Sequence, residues 1–499
     1  MNKKQALSIY NNQIEKIKAY HLVLTTTSYD RMTIAPSKGS EYRNKMMSII
    51  QGEVYDLSTD KKFIEAILYL SKLDLGEVLN REIKLAKKDV DDIIKFSKEE
   101  IMEFSLAQME GNDYWIKAKM KKDYSIFKPY LLKLIELSKL RANRKDPNKN
   151  PYDVLLDEYE EGMNIKKYDE FFKLIKKELV PLIKKINKKK NYINDSFLYK
   201  IYPIDKQEIF MDIVKKYINF DPSWGYMGVS EHPYTMGISR NDVRVTTNYD
   251  IDNITGAFYS IVHECGHAFY EHQVSPKFDK YLYLRNMSSG IHESQSRFLE
   301  NYLGRRKAFF TNLYPKLQEL FPENLKNVSL NEFILAVNVS KCSLIRTDAD
   351  ELTYPIHILI RYEIEKDIFN NKIDLNNLDK IWNEKYYKYL GVKPDNDSEG
   401  ILQDIHWSDA SFGYFPTYAL GSAIGAQLFY KMNKDLNADE LLENNKFKVI
   451  TDYLKDNLQQ YGALYNYDEL LLKATGKRFD PNYYIKYLKN KYSKLYNIK

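Results

Sequence analysis

The segment HECGH at 263–267 combines side chains that could bind a metal ion and act as a base. In an α-helix, residues four apart lie on the same face, so His263 and His267 can hold one ion together. Glu264 lies about 100° around the helix, near that ion but poorly placed to bind it. This offset suits a base that acts on water, so the spacing predicts a catalytic zinc site with Glu264 as general base.

The residues around this segment predict a helix that buries one face. Apolar side chains recur at three- and four-residue steps between 254 and 269 and form one stripe. Both histidines fall outside the stripe, beside Gly256 and Ser260. Because these two residues are small, they leave room next to the histidines. The pattern indicates a buried site at the floor of a cleft.

A catalytic zinc ion needs a third protein ligand and an open fourth position. His272 is the nearest histidine, but the motif with a third histidine would place it at 273, where this chain has Gln273. Glu293, in the amphipathic segment GIHESQSRFLEN, is the other solution. The neighbouring His292 is a further candidate, either as a ligand or as a partner of one.

Most of the chain has the apolar periodicity of amphipathic helices, as in 126–140, 168–186 and 441–495. Residues 243–249 alternate between apolar and polar side chains instead, which predicts a strand. The Asn, Lys and Pro cluster at 144–151 predicts a loop that is too short to separate domains. The expected fold is therefore mostly α, a single large helical body with a small β-sheet.

Composition and charge exclude several classes of protein. Of the 499 residues, 44% are hydrophobic and 29% are charged, which is an ordinary globular balance. The net charge of +6 is a weak bias, and the lysine run at 188–190 predicts a solvated face, so we expect no nucleic-acid partner. Two cysteines, no signal-like apolar run and no membrane-length apolar stretch predict a cytoplasmic protein.

Further motifs accompany HECGH and HESQS in a fixed order, namely HPYT at 232–235, DVRVT at 242–246, IRTDAD at 345–350 and GILQDIHW at 400–407. Together they resemble the carboxypeptidase Taq family of thermostable metallocarboxypeptidases. The segments YDVLLDEYEEGM at 152–163 and FGYFPTYALGSAIGAQL at 412–428 also look like that family. The resemblance therefore covers nearly the whole chain.

This resemblance implies one catalytic unit over 1–499, with N-terminal helices of about 1–110 lining or covering a deep substrate groove. It implies a fold similar to neurolysin and angiotensin-converting enzyme, with the HExxH helix at the groove floor. The implied metal ligands are His263, His267 and Glu293, for one Zn²⁺ or Co²⁺ per chain. The implied function is release of single C-terminal residues from peptides with broad specificity, by a homodimer.

Roles for other residues combine residue type with the resemblance. Glu264 would take a proton from water and pass it to the leaving amine. Tyr414 and Tyr418 could each donate to the oxyanion, and the resemblance favours Tyr418. Arginine binds carboxylates through two hydrogen bonds, so Arg346 is the candidate for the substrate's C-terminal carboxylate, with His406 as a second donor.

The DVRVT segment has a separate expected role. An exposed edge strand beside the zinc ion can pair with an extended peptide. In that arrangement Asp242, Arg244 and Thr246 would order the strand or limit substrate length. The HPYT motif adds His232 as a substrate-binding candidate, and the groove's far end would be closed by Gln403, Asp404 and Trp407.

Three alternatives are open from the sequence. Arg346 could form a structural ion pair with Asp348 or Asp350 instead of binding substrate. The chain could be a zinc oligopeptidase that cuts internally, since the metal chemistry would be identical. It could also be an inactive helical binding scaffold, although a structural zinc site rarely leaves a base beside an open position.

Overall fold

The structure, a computed structural model, describes residues 1–189 and 192–498, so Lys190 of the lysine run lies outside the described residues. The chain begins with helices, which are α1 (Lys3–Thr33), α2 (Ser40–Ser58), α3 (Lys61–Leu70), α4 (Glu77–Ile93), α5 (Lys98–Lys121), α6 (Lys128–Lys145), α7 (Pro151–Tyr159), α8 (Ile165–Asn187) and α9 (Ile204–Tyr217). Helices α6 and α8 confirm the helical periods predicted at 126–140 and 168–186, and the short connection before α7 confirms the predicted loop.

A small sheet follows, with β1 (Gly225–Val229), β2 (Thr235–Ser239) and β3 (Asp242–Thr247) in the order β1-β3-β2. Strand β3 pairs with β1 in parallel and with β2 in antiparallel register. The strand prediction is thus confirmed, but the prediction that DVRVT is an exposed edge is wrong. Both sides of β3 carry ladder hydrogen bonds, and β1 and β2 form the edges of the sheet.

After the sheet the chain is helical again, with α10 (Ile254–Gln273), α11 (Ser289–Arg297), α12 (Lys307–Phe310), α13 (Tyr314–Leu320), α14 (Pro322–Leu325), α15 (Leu330–Ala336), α16 (Tyr354–Phe369), α17 (Leu378–Leu390), α18 (Phe415–Asp435), α19 (Ala438–Glu443), α20 (Phe447–Asn457), α21 (Tyr467–Thr475) and α22 (Asn482–Leu495). A π-helical turn at Phe298–Leu303 continues α11. The mostly helical architecture with one small sheet is confirmed. Among the described residues, no helix is both long and apolar enough to span a membrane.

The N-terminal helices have a hydrophobic cluster of their own, built from α1, α3 and α4 and separate from the main core. The buried carboxylate of Glu82 in α4 connects this cluster to the body. It accepts hydrogen bonds from the Tyr10 hydroxyl at 2.8 Å and from the backbone N–H groups of Leu282 and Leu284 at 3.1 and 2.9 Å. Since a buried carboxylate is costly unless it is hydrogen-bonded, these contacts fix how α4 lies against the segment before α11.

Two helix starts matter for the site. In α10 the Asn253 side chain accepts a hydrogen bond from the Thr255 N–H at 2.9 Å, which is an ordinary N-cap. In α11 the N-cap Ser288 makes no side-chain cap bond. Instead, Oε2 of Glu160, just after α7, accepts from the Gly290 N–H at 2.9 Å. A residue that is far from α11 along the chain therefore fixes the start of this helix.

Candidate active site

Helices α10 and α11 bring the three predicted metal ligands together. The Nε2 atoms of His263 and His267 lie 3.7 and 3.4 Å from Oε2 of Glu293. The potential ligand atoms of these three residues all lie within 4.8 Å of one another. Two imidazole nitrogens and one carboxylate oxygen at this spacing fit a catalytic zinc ion with an open fourth position. The donor set is also compatible with cobalt.

Two glycines let the helices approach closely enough to form this group. A Cβ atom at Gly266 would lie 2.5 Å from the carbonyl oxygen of Gln295 on α11. A Cβ atom at Gly421 on α18 would lie 2.7 Å from the Cβ of Glu293. Both distances are shorter than any tolerable contact, so a larger residue at either position would push a helix away from the ligands.

A charged network lies behind His263 and Glu293. Oε2 of Glu300, in the π-helical turn, lies 2.9 Å from Nδ1 of His263. Arg297 donates from Nε to Glu293 at 2.7 Å and from Nη1 to Glu300 at 3.0 Å. Burial alone would raise the pKa of Glu293, but Arg297 and His263 hold it well below its usual range. The carboxylate is therefore kept ionised, as a metal ligand must be.

A second chain of contacts lies behind His267. Its Nδ1 is 2.6 Å from Nδ1 of His292, and Nε2 of His292 is 3.0 Å from Oε1 of Glu271. Because the ligand-side atom of His267 is Nε2, its Nδ1 carries a proton and donates it to His292. His292 in turn donates from Nε2 to Glu271. This arrangement orients a metal-binding imidazole, and of the two alternatives for His292 it favours a ligand's partner.

We expect His292→Phe to weaken zinc binding by about 10- to 100-fold, the usual effect of losing such an outer partner. Phenylalanine keeps a ring against His267 but accepts no proton from its Nδ1. Competition with a chromophoric chelator measures the affinity. The matched control is His272→Phe, because His272 stacks on Trp224 at 4.0 Å and lies outside the ligand group. An equal loss of affinity in both variants would contradict this prediction.

Glu264 lies beside the ligand group and is oriented by the sheet. The hydroxyl of Thr235 at the start of β2 donates to Oε2 of Glu264 at 2.6 Å. Only 7% of Glu264 is exposed, and burial raises the pKa of its carboxyl. A raised pKa makes a carboxylate a stronger base near neutral pH, which is the property that a general base requires.

The potential metal ligands and Glu264 lie beside a cavity of about 660 Å³. Its lining includes His263 and Glu264 at the metal side, and Arg297, Arg346 and Tyr354 from the helices and the segment that face them. A volume of this size accommodates a few residues of a peptide, since ordinary ligand pockets range from about 300 to 1,000 Å³. A base, a metal group and cationic side chains therefore meet at one cavity.

Arg346 reaches this cavity but is already paired. Its Nε and Nη2 donate to Oδ1 of Asp404 at 3.0 and 2.9 Å, and its Nη1 donates to the Tyr354 hydroxyl at 3.2 Å. The ion pair considered from the sequence, with Asp348 or Asp350, is thus replaced by one with Asp404. A guanidinium has five N–H groups, so these three contacts leave two for another acceptor.

Gln403 and Asp404 lie behind Arg346 and are not among the cavity-lining residues. Oε1 of Gln403 accepts from the Arg346 backbone N–H at 2.9 Å and from Arg361 at 2.7 Å, and Arg361 also donates to Asp404 at 2.7 Å. These contacts give the two residues a role in holding both arginines, and closure of the far end of the groove stays a prediction. Two buried arginines need a counter-charge and acceptors, and this carboxylate and amide provide them.

His406, Tyr414 and Tyr418 form an aromatic group next to Arg346. Nε2 of His406 lies 3.1 Å from the Tyr418 hydroxyl, and the rings of Tyr414 and Tyr418 meet edge to face at 5.1 Å. Burial lowers the pKa of His406 to about 3, so this imidazole is neutral. Burial and then other charges, including that of Glu293, raise the pKa of both tyrosines, which keeps both hydroxyls protonated as donors. None of the three lines the cavity.

The DVRVT residues serve the sheet and α1. Arg244 donates from Nε and Nη2 to the two carboxylate oxygens of Asp242, both at 2.9 Å. The Arg244 guanidinium also lies 5.2 Å from the ring centre of Tyr29 in α1. These contacts hold α1 against β3, which is compatible with the predicted ordering role.

Thr246 and His232 do not form the substrate surface expected of them. Thr246 is fully buried, and its Oγ1 accepts from the Ser230 hydroxyl at 2.7 Å and from the Tyr234 N–H at 3.0 Å. It therefore orders the HPYT segment, which agrees with the ordering role predicted for it, and its full burial keeps it from direct contact with a peptide. His232 is exposed but does not line the cavity, whereas its neighbour Pro233 does.

Comparisons with known proteins identify the family of this chain. The family model for carboxypeptidase Taq (M32) metallopeptidases matches residues 9–492. The chain is 39% identical to carboxypeptidase 1 of Bacillus subtilis over 97% of both proteins. It is 34% identical to thermostable carboxypeptidase 1 of Pyrococcus furiosus, over 89% of this chain and 91% of that one.

Solved structures give the same result. A Pyrococcus furiosus carboxypeptidase structure superimposes with a TM-score of 0.94 at 33% identity, over 99% of both chains. The M32 carboxypeptidase from Deinococcus radiodurans superimposes with a TM-score of 0.95 at 29% identity, also over 99% of both chains. Sequence, fold and the HExxH group thus agree along nearly the full length. The chain belongs to the carboxypeptidase Taq (M32) family and is a metallocarboxypeptidase.

Proposed function

We propose that this enzyme removes single amino acids from the C-termini of peptides, with one zinc ion held by His263, His267 and Glu293. The observation that carries the proposal is the grouping of these three ligands beside a cavity that His263, Glu264 and Arg346 line together. A divalent ion held there supplies Lewis acidity to a peptide carbonyl and to water. Cobalt could take the same place.

Glu264 moves the proton. Its carboxylate accepts a proton from the attacking water and returns it to the leaving amine, as a general base and then a general acid. Thr235 holds Oε2 of Glu264 at 2.6 Å, which limits the rotation of the carboxylate during both transfers. Tyr418 would donate a hydrogen bond from its hydroxyl to the developing oxyanion and keep its proton, and Nε2 of neutral His406 positions that hydroxyl at 3.1 Å. Tyr414 packs edge to face on Tyr418 and limits the movement of its ring.

Arg346 makes the enzyme an exopeptidase by binding the C-terminal carboxylate. Its pairing with Asp404 does not remove the positive charge of this region, because Arg361 shares the same carboxylate. Two guanidinium groups against one aspartate leave one net positive charge beside the cavity. The two unused N–H groups of Arg346 can then bind a carboxylate, in the manner usual for arginine.

A pair of peptides tests the proposal. One has a free C-terminus and the other has the same sequence with a C-terminal amide, and mass spectrometry follows their cleavage by metal-stripped and zinc-loaded enzyme. We expect stepwise loss of C-terminal residues from the free acid, only in the presence of metal. The amide should be cleaved poorly, since it has no charge for Arg346.

The other outcomes favour the two alternatives. Internal cuts in both peptides would keep the metal site and overturn the carboxylate role of Arg346, which favours the oligopeptidase. If neither zinc nor cobalt restored any cleavage, the chain would be an inactive scaffold.

The proposal also includes the oligomeric state of the enzyme, the extent of its catalytic unit and its location in the cell. The family resemblance supports a homodimer, and sedimentation velocity tests it. It also supports a neurolysin-like groove in one catalytic unit, with α1 to α4 lining or covering it. A cytoplasmic location agrees with the two cysteines, Cys265 and Cys342, both of which are free thiols.

A further inference from the structure

The cavity above the metal group contains a carboxylate that no basic side chain neutralises among the described residues. Of its other acidic lining residues, Glu264 is the proposed base and is held by the Thr235 hydroxyl. Asp195 is paired with Lys341, and Glu300 is paired with Arg297 and Arg305. Asp348 also lines the cavity, but its side chain contacts only the Thr347 hydroxyl, at 3.4 Å.

The neighbouring Asp350 differs from Asp348 because both of its carboxylate oxygens already accept hydrogen bonds from the protein. Its Oδ1 accepts from the N–H groups of Leu352 and Thr353 at 2.9 and 3.1 Å. Its Oδ2 accepts from the Lys341 N–H at 3.1 Å and from the Thr353 hydroxyl at 2.7 Å. Asp350 is thus a structural residue at the start of α16, whereas Asp348 has its carboxylate available to the cavity.

Apolar side chains line part of the cavity that contains Asp348. Leu198, Ala336, Val337 and Val339 all line the cavity, together with the ring of Tyr199. Burial raises the pKa of Tyr199, and the charges of Asp195 and Asp348 also act on its hydroxyl, so these groups lie in one region. An apolar wall that leads to a carboxylate is complementary to a side chain with an aliphatic stem and a cationic end.

Arg346 connects this region with the substrate's C-terminus. Asp348 follows it by two residues, so their Cα atoms are at most about 7.6 Å apart. Both residues line the same cavity, so the last residue of a peptide whose carboxylate is bound by Arg346 shares that cavity with the Asp348 carboxylate. The Asp195–Lys341 pair is neutral as a unit, and the Asp350 carboxylate is enclosed by its hydrogen bonds, so Asp348 is the carboxylate in this region with no partner among the described residues besides the Thr347 hydroxyl.

We propose that Asp348 forms the subsite for the side chain of the C-terminal residue and makes lysine and arginine the preferred residues for release. The proposal rests on the carboxypeptidase function and adds an order of preference within its broad specificity. Cationic residues come first, neutral residues second and acidic residues last. Because Asp348 is exposed to the cavity, each step in this order is worth about three- to fivefold.

Three tripeptides that differ only in a final Lys, Leu or Glu test this order. For zinc-loaded wild-type enzyme, kcat/KM is expected to fall in that sequence. In Asp348→Asn the ratio for Lys over Leu should fall by about three- to fivefold. Asp456→Asn is the matched control, because Asp456 is an exposed aspartate on α20 that does not line the cavity. Its ratio should equal that of the wild type.

A binding measurement distinguishes failure of the Asp348 subsite from failure of the proposed carboxypeptidase function. Titration calorimetry of the same peptides with zinc-loaded Glu264→Gln reports affinity without turnover. Equal affinities for the Lys and Leu peptides, or a Lys preference that persists when Asp348→Asn is added, would overturn the role of Asp348. If wild-type enzyme released no C-terminal residue while the Lys peptide still bound best, the carboxypeptidase function would be wrong and this subsite would stand.

Discussion

Glu264→Gln is expected to reduce peptide hydrolysis by about 10⁴-fold, at the upper end of what one general base contributes. The amide has the shape of the carboxylate, but it cannot accept a proton from water or return one to the leaving amine. Zinc affinity should change little, because Glu264 is not one of the three grouped ligands. Initial rates with a free-acid peptide and chelator competition for zinc measure the two effects.

The matched control is Glu170→Gln, which removes a carboxylate from the exposed face of α8. It should leave both rate and zinc affinity at the wild-type level. A Glu264→Gln enzyme that kept more than about a tenth of its activity would assign the proton transfer to another group. Loss of zinc together with activity would instead make Glu264 part of the metal site.

Glu293→Gln is expected to weaken zinc binding by more than about 100-fold, which exceeds the usual effect of losing an outer partner. Glu293 supplies the one anionic ligand of the group, and glutamine is a neutral and weaker donor. Glutamine also has a single carbonyl oxygen, so it cannot accept from Nε of Arg297, as Oε1 of Glu293 does at 2.7 Å, and bind the metal with a second oxygen. Hydrolysis at limiting zinc should fall in parallel, and excess zinc should restore part of it.

Exposed Glu323 in α14 offers the control Glu323→Gln, which should bind zinc like the wild type. Circular dichroism of both variants separates metal loss from misfolding, because the helical signal of a folded chain should be unchanged. Unaltered zinc affinity in a folded Glu293→Gln protein would remove this residue from the ligand set. The candidate from the sequence that would then be tested is His292.

The features of the fold that the sequence predicts correctly are local ones. The helix that carries His263 and His267 follows from a periodic apolar stripe within its own twenty residues. Relations of this kind are local, so they can be read from one segment. The predicted strand was correct for the same reason. Its predicted place at the sheet edge was wrong, because alternation describes two faces and carries no information on how many edges are paired.

The sequence by itself therefore determined the helical class, the metal and base residue types and, through the motifs, the family. Only the tertiary structure decided which charges meet. Arg346 pairs with Asp404 and not with an aspartate of its own motif, and His292 joins Glu271 to His267. These partners come from different elements of the chain. Their contacts depend on how helices pack, which glycines such as Gly266 permit through close backbone approach.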